Sequence, residues 1–314
     1  MIKPSIRVNF VDFWPNFDLE NFLIYRIMMK NYDVIIDDEA VILFYSTYGF
    51  EHYKYSCTKV FYTGENIRPN FNDCDFAFSF DFSPSPKNYR LPLYAFYDDV
   101  EKLVKSPDSQ SEGKKKSKFC CFLVSNPVST IRNNFFVELS KRKHVDSGGS
   151  VYNNLNGLVK EKREFIKDYK FVIAFENSSY PGYVTEKIFE PLLEDCIPIY
   201  WGSPEINKDF NTKRFINCHD YNSFEEVIDL VLEIDDDHEK YLNYVKQPAF
   251  ENNRVNEFVK DSNISKKLDE IILYNAKRSF FLKTFQFLRA WFCTAQNNLR
   301  KVSNRITSFN AIIK

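Results

Sequence analysis

The sequence lacks any long apolar run, and none approaches the roughly 18 residues that a membrane-spanning helix needs. Its first residues, MIKPSIRVNF, contain neither an extended apolar stretch nor a small-residue cleavage site, so they do not have the pattern of a signal peptide. The formal net charge of −1 gives the chain as a whole no nucleic-acid signature. These absences favour a cytoplasmic protein that does not bind nucleic acid.

Signatures of disulfide and metal sites are also missing. The seven cysteines are odd in number and contain no CxxC motif, which fits reduced thiols in a cytoplasmic compartment. The four histidines form no HExxH motif and no metal-spaced pair, so the pattern argues against a structural zinc site. Aromatic residues, in contrast, make up 17% of the chain. We interpret them mainly as dense core packing, with sugar stacking as the alternative.

Apolar runs of strand length alternate with helical patterns along two stretches of the chain, which indicates two α/β domains with mostly parallel sheets. The polar segment 105–118 separates them and is predicted to be a linker or a surface loop. One Rossmann domain with an unrelated partner is the alternative. The predicted strands are Ile6–Phe13, Tyr32–Ile36, Val41–Tyr45, Lys59–Tyr62, Asp75–Phe80, Phe119–Val124, Tyr169–Phe175 and Cys196–Trp201. The predicted helices are Leu19–Met29, Ile131–Lys141, Val184–Leu193 and Phe224–Glu233.

Residues 276–314 differ in composition from the rest of the chain. They carry eight basic side chains and no aspartate or glutamate. Apolar residues recur at spacings of four and three, which predicts an amphipathic helix with a heptad-like stripe. We expect this tail to bind an anionic membrane surface, and a homodimer seam or packing onto the rest of the protein are the alternatives. The stripe comprises Phe281, Phe285, Leu288, Phe292, Ala295, Leu299, Val302, Ile306, Phe309 and Ile313.

The segment from Tyr169 to Pro204 is the richest in chemistry. A buried strand is followed by a turn-forming stretch, and a helix is predicted to open near Val184. The first turn of a helix attracts phosphate, and Lys187 adds a positive charge there. Glu186 could accept hydrogen bonds from ribose hydroxyls, or it could only favour the helix N-terminus. The residues alone leave a nucleotide site and a structural role equally open.

The ordered motifs in this segment resemble those of glycosyltransferase family 10, the α-1,3/4-fucosyltransferases, and most closely its bacterial members. Phe175-Glu176-Asn177 precedes GYVTEK at 182–187, and PIYWGSP follows at 198–204. Earlier blocks also match, namely FYTGEN at 61–66, PNF at 69–71, YRLPLY at 89–94, VSNP at 124–127, IRN at 131–133 and GGS at 148–150. Later blocks continue the match with KDF at 208–210 and NCHD at 217–220. The resemblance covers roughly residues 55–260.

The resemblance implies a role for each matching residue. Glu65 would be the general base on the acceptor hydroxyl, and Arg132 and Lys187 would hold the diphosphate of GDP-fucose. Glu186 would bind the ribose. The nucleotide and phosphate pocket would be lined by Tyr183 and Asn177. No metal ion or cofactor would be required, and a divalent ion would be at most stimulatory.

Two acidic triplets present a competing pattern. Residues 73–75 and 235–237 both read as DxD, the metal–diphosphate signature of the other major glycosyltransferase architecture. Acidic pairs are frequent in a chain this rich in aspartate. The first triplet leads directly into a predicted strand, and the second lies in a polar turn after a predicted helix. We therefore interpret both triplets as structural.

The resemblance implies a GT-B fold, with two Rossmann-like domains facing a cleft. We expect an acceptor-side domain over 1–117, a GDP-fucose-binding domain over 118–262, and C-terminal helices with the basic amphipathic tail over 263–314. The implied activity is an inverting α-1,3-fucosyltransferase acting on N-acetylglucosamine of an N-acetyllactosamine or lipopolysaccharide-type glycan. The enzyme would be cytoplasmic and peripherally membrane-associated. The alternatives are a glycosyltransferase of the same fold with another acceptor or donor, and a non-catalytic membrane-bound sugar-binding protein.

Overall fold

The computed structural model describes residues 3–97, 100–105 and 116–277. These residues form two compact units. The first unit contains the described residues up to Ser79, then Ser83–Arg90 and those from Lys260 onward, and the second contains Phe80–Phe82 and the described part of Leu91–Val259. This division differs from the predicted boundaries at 117/118 and 262/263. The stretch 91–105 belongs to the second unit, and the helix after residue 260 belongs to the first.

The first unit is built on a six-stranded parallel sheet of order β2-β1-β3-β4-β5-β6. Three of its inner strands, β3, β4 and β5, are mostly apolar and buried along their whole length, as expected for a parallel sheet that is covered on both sides. The edge strand β2 is mostly exposed. The strands are β1 (Ser5–Val11), β2 (Asp33–Ile36), β3 (Ile42–Tyr45), β4 (Thr58–Tyr62), β5 (Phe76–Ser79) and β6 (Asn88–Arg90).

Two helices complete the described part of the first unit. Helix α1 (Leu23–Asn31) buries an apolar face that includes Ile24 and Met28. It starts four residues later than the predicted Leu19. It ends two residues later than the predicted Met29, because Tyr32 provides the C-cap by donating its backbone N–H to the Met28 carbonyl. Helix α7 (Asp261–Ala276) was expected only as part of a separate C-terminal region.

Helix α7 is attached to the end of α1 by a row of polar contacts. Lys30 Nζ lies 2.5 Å from Asp261 Oδ2, and Asn31 Nδ2 donates to Ser265 Oγ at 2.7 Å. Tyr32 Oη donates to Asp269 Oδ1 at 2.6 Å. The three α7 partners are spaced four residues apart, so they lie on one face of the helix. Three consecutive residues at the end of α1 therefore fix this face of α7.

The second unit contains a five-stranded parallel sheet of order β11-β10-β9-β7-β8. Its core is formed by apolar residues of the sheet and of the helices that cover it. The strands are β7 (Lys118–Phe122), β8 (Val145–Ser147), β9 (Tyr169–Phe175), β10 (Ile197–Trp201) and β11 (Ile216–Asn217). The helices are α2 (Thr130–Arg142), α3 (Lys162–Ile166), α4 (Glu186–Leu193), α5 (Phe224–Asp236) and α6 (His238–Val245).

Two sequence predictions fall partly or wholly outside the described residues. The tail prediction lies outside them from residue 278 onward, and the linker prediction does so for residues 106–115. Within the described ranges, no helix has both the length and the apolarity that crossing a bilayer would require.

Candidate functional site

The carboxyl ends of β7 and β9 mark the topological switch point of the second unit. These two strands are neighbours, and the chain leaves them in opposite directions across the sheet, towards β8 on one side and β10 on the other. Ligands of open parallel α/β sheets bind in the crevice at such a point. Arg132 and Asn177 meet here, and Glu186 and Lys187 begin helix α4 after strand β9.

A fully buried carboxylate accepts hydrogen bonds from the N-cap residue of α4. Glu176 follows β9 directly and is 0% exposed. Its Oε1 accepts the Thr185 N–H at 2.8 Å, and its Oε2 accepts the Thr185 hydroxyl at 2.7 Å. Thr185 is the N-cap residue, so α4 starts at Glu186 rather than near Val184. Glu176 therefore joins the end of the strand to the start of the helix.

Lys187 lies in the first turn of α4 between two carboxylates. Its Nζ is 3.4 Å from Glu176 Oε2 and 3.3 Å from Glu186 Oε1. Burial opposes its charge, but the two carboxylates outweigh burial and raise the pKa of Lys187. Burial raises the pKa of Glu176, whereas Lys187 and Lys162 outweigh burial at Glu186 and lower its pKa. The ammonium group is therefore charged at neutral pH.

Arg132 connects the segments that follow strands β7 and β9 by hydrogen bonds. It is only 1% exposed, although it lies in the first turn of α2. Its Nη2 donates to the Asn126 carbonyl at 2.7 Å, and its Nη1 donates to Asn177 Oδ1 at 3.0 Å and to the Phe175 carbonyl at 3.4 Å. Its buried Nε has no hydrogen-bond partner among the described residues. The guanidinium therefore fixes Asn177 and the two strand ends from within the protein.

The turn before α4 has a backbone that requires glycine. Gly182 has a φ of +83°, and a Cβ there would lie 2.6 Å from the Phe80 carbonyl oxygen. Its N–H donates to Ser203 Oγ at 2.8 Å. The next residue, Tyr183, is only 3% exposed and packs edge-on against the Phe80 ring, with ring centroids 5.2 Å apart. The structure therefore places the Tyr183 ring inside the turn, and its predicted role in lining the nucleotide pocket stays a prediction.

Glu65 lies in the first unit, in the loop that follows β4. Its side chain is exposed, and its backbone N–H donates to Thr63 Oγ1 at 3.0 Å. Tyr48 Oη donates to Glu65 Oε1 at 3.3 Å. The carboxylate is therefore held from one side and is accessible to solvent, as a base that receives a proton from a bound hydroxyl must be.

The DxD triplets have structural partners, which supports their interpretation as structural. Asp75 Oδ2 accepts the Lys59 N–H at 2.9 Å, next to the start of β4. Asp235 pairs with Lys143 and with Lys170 on β9. Within the described part of the chain, no group of three or more histidine, cysteine, aspartate or glutamate side chains could hold a metal ion.

Glu176 is the site residue that sequence reasoning missed. It was interpreted only as part of a turn-forming stretch. Its signal was an acidic residue directly after a buried strand, where a carboxylate is costly unless it is paired. The pairing with Thr185 and Lys187, nine and eleven residues further on, became visible only in the folded chain.

Two protein-family models together match most of the chain. Residues 8–97 match the α-(1,3)-fucosyltransferase FucT N-terminal domain. Residues 113–291 match the C-terminal domain of glycosyltransferase family 10, the fucosyltransferase family. The chain therefore belongs to glycosyltransferase family 10, as its motifs predicted.

Individual relatives agree with this assignment. An α-(1,3)-fucosyltransferase, FucT, of Helicobacter pylori is 34% identical over 273 residues, which is 73% of this chain and 57% of that protein. A putative fucosyltransferase, R654, of Acanthamoeba polyphaga mimivirus is 30% identical over 205 residues, which is 60% of this chain and 33% of that protein. The chain thus spans about half or less of the length of these relatives.

A solved structure of an α1,3-fucosyltransferase with GDP-fucose matches the fold. Its TM-score is 0.73 at 28% identity, and the match covers 89% of this chain and 92% of that chain. The predicted α/β fold of the GT-B type, with two parallel sheets, is confirmed by this similarity and by the sheets themselves.

Proposed function

We propose that this chain is an inverting α-1,3-fucosyltransferase that uses GDP-fucose as donor. The observation that carries the proposal is the charged Lys187 in the first turn of α4, beside the switch point of a parallel sheet. A helix N-terminus with a fixed lysine is suited to a diphosphate leaving group. The membership in glycosyltransferase family 10 and the GDP-fucose named for a relative of similar structure support the same donor.

The donor-binding roles follow from the positions of the side chains. Lys187 would bind the diphosphate once the anion competes with its carboxylate partners, and Arg132, which fixes the exposed Asn177, would help to hold it. Glu186, whose pKa is lowered by its lysine neighbours, would accept hydrogen bonds from the ribose hydroxyls as a carboxylate. Asn177, exposed at the end of β9, would line the phosphate pocket, and Tyr183 would support the turn beneath the nucleotide.

Glu65 would be the general base. Inversion at the anomeric carbon requires one carboxylate that removes the proton of the attacking hydroxyl while the GDP leaves from the opposite face. Glu65 is an exposed carboxylate at the carboxyl edge of the first sheet. We propose O3 of N-acetylglucosamine, in an N-acetyllactosamine or lipopolysaccharide-type glycan, as the attacking hydroxyl.

The proposal is tested by a transfer assay. GDP release from GDP-fucose is measured with and without N-acetyllactosamine, and the product is analysed by NMR for its linkage and anomeric configuration. We expect acceptor-dependent GDP release and an α-1,3-linked fucose. A release rate that ignores the acceptor, or transfer from another sugar nucleotide in preference to GDP-fucose, would contradict the proposal.

A further inference from the structure

A tyrosine of the β3–β4 connection contacts the proposed base. Tyr48 Oη lies 3.3 Å from Glu65 Oε1, although the two residues are 17 positions apart. Tyr48 is 49% exposed, so its ring is not part of the core. Its ring packs edge-on against Trp14, with centroids 6.3 Å apart. The phenol thus lies at the carboxyl edge of the sheet, between the Trp14 ring and the Glu65 carboxylate.

The backbone that carries Tyr48 is fixed by Asp12, the residue after β1. The Tyr48 N–H donates to the Asp12 carbonyl at 2.9 Å. The Asp12 carboxylate accepts the N–H groups of Glu51 and His52 at 2.9 Å each and contacts His52 Nδ1 at 2.5 Å. A Cβ at Gly49 would collide with the Asp12 carboxylate, so only glycine allows this close approach.

Glu65 is fixed from the other side of the contact. The buried Thr63 hydroxyl accepts the Glu65 N–H at 3.0 Å, and the Glu65 carbonyl accepts the Ile67 N–H at 2.6 Å. The backbones of both partners are therefore held before any substrate binds. A hydrogen bond between two fixed partners orients a carboxylate at a lower entropic cost than one between two mobile side chains.

We propose that Tyr48 is a positioning residue for Glu65: its phenol occupies one carboxylate oxygen and leaves the other directed at the acceptor hydroxyl. This inference rests on the proposed function, in which Glu65 is the base. Strands β1, β3 and β4 are neighbours in the sheet, so the loops that carry Asp12, Tyr48 and Glu65 leave the same edge. The contact lies beside the point where the chain direction across this sheet reverses, between β1 and β3.

A double-mutant cycle in the full chain tests the proposal. Tyr48→Phe removes the hydroxyl and keeps the ring, and Glu65→Ala removes its acceptor. We expect Tyr48→Phe to lower kcat about 3–10-fold, as the loss of a net hydrogen bond would, with the KM for GDP-fucose unchanged. In the Glu65→Ala background, the same change should alter the residual rate by less than about 2-fold, because coupled residues are not additive.

Tyr55→Phe is the matched control. Tyr55 lies on the same connection, and its hydroxyl contacts Asn9 Nδ2 at 3.0 Å and Asp38 Oδ1 at 3.5 Å, instead of Glu65. It should leave kcat unchanged. The thermal midpoint of each variant is measured, and that of Tyr48→Phe should match the wild-type value, since its ring packing is kept.

The outcomes separate the two proposals. An unchanged kcat in Tyr48→Phe, or an equal loss with and without Glu65, overturns the positioning role and leaves the proposed function intact. An equal loss in Tyr55→Phe also overturns it, because the effect would then be one of loop structure. Full activity in Glu65→Ala, or no fucose transfer by the wild type, overturns the proposed base or function and the inference with it.

Discussion

Lys187 is the residue that carries the proposed donor site. Its ammonium group lies between a fully buried carboxylate, Glu176, and a partly exposed one, Glu186. Because these two carboxylates raise the pKa of Lys187 despite burial, the side chain keeps its proton at neutral pH. A bound diphosphate adds negative charge beside a cation that is already fixed in place, so little reorganisation is needed.

We expect Lys187→Ala to weaken GDP binding about 10- to 150-fold, which corresponds to about 1.5–3 kcal/mol for a charge-assisted contact. Isothermal titration calorimetry measures this directly. Lys141→Ala is the control, since this exposed lysine pairs with Glu138 on α2, at 2.7 Å, and should leave GDP affinity unchanged. Activity that EDTA abolishes and only a divalent ion restores would contradict the view that protein cations neutralise the diphosphate.

Glu176 stabilises the start of helix α4, where Lys187 lies. We expect Glu176→Ala to lower the free energy of unfolding by about 2–4 kcal/mol, because the Thr185 N–H and hydroxyl would lose their buried acceptor. Urea unfolding followed by fluorescence measures the change. The half-buried Glu205, which pairs with Lys208 at 2.9 Å, serves as control, and Glu205→Ala should change stability by less than about 1 kcal/mol. Equal urea midpoints for Glu176→Ala and wild type would refute the structural role.

At the level of elements, helix α7 is a late part of the chain that belongs to the first unit. It packs on α1 through the polar row that ends at Tyr32 and Asp269, and Thr58 Oγ1 donates to Asn275 Oδ1 at 2.9 Å near its C-terminal end. Burial, together with the Asp269 hydrogen bond, raises the pKa of Tyr32 to about 12. The first unit therefore depends on residues more than 200 positions away in sequence.

Tyr32→Phe should lower stability by about 1–2 kcal/mol at pH 7, the value of a hydrogen bond to a charged acceptor that is partly exposed. The pKa of Tyr32 is raised in the folded state, so its stabilising effect is fully present below pH 10 and is lost as the pH rises through about 12. Urea midpoints of wild type and Tyr32→Phe should therefore converge between pH 10 and 12. Tyr152→Phe, at a half-exposed position, is the control. A difference that grows with pH would contradict this assignment.

At the scale of the whole molecule, the prediction about membrane binding concerns the basic segment after α7. The prediction that residues 276–314 dock the enzyme on an anionic membrane stays a prediction, since residues from 278 onward lie outside those described. Deleting residues 279–314 retains α7 and its contacts with α1. We expect the truncated chain to lose co-sedimentation with anionic liposomes and to keep its activity on a soluble acceptor.

Salt and lipid charge provide the controls for this experiment. Attraction of basic residues to an anionic surface falls with ionic strength, so high salt or neutral liposomes should release the full-length chain. Unchanged sedimentation after truncation, or a full-length chain that ignores anionic liposomes at low salt, would refute membrane docking. Loss of activity on the soluble acceptor would assign the segment a role in the catalytic part instead.

Much of the fold could be predicted from the sequence because the long strands are continuous apolar runs. Strands such as β9 and β10 are buried on both faces, so their composition alone identifies them. The shortest strands were missed. Strands β6 and β8 have three residues each and β11 has two, too few for any periodic pattern. The proposed donor-site residues Asn177, Glu186 and Lys187 could be predicted from a local motif, since they lie within eleven positions.

Tertiary structure decided the features that depend on distant residues. The sequence by itself determined the α/β class and the family, and it gave the motif of the proposed donor site, because each depends on short, local patterns. Only the folded chain brought Arg132 to Asn177, Tyr48 to Glu65 and α7 to α1. These contacts join strand ends and helices that are separated by 17 to more than 200 residues, and no local pattern encodes them. Sheet order brought the first two pairs together, since parallel strands place their carboxyl ends at one edge, whereas α7 is held on α1 by side-chain contacts.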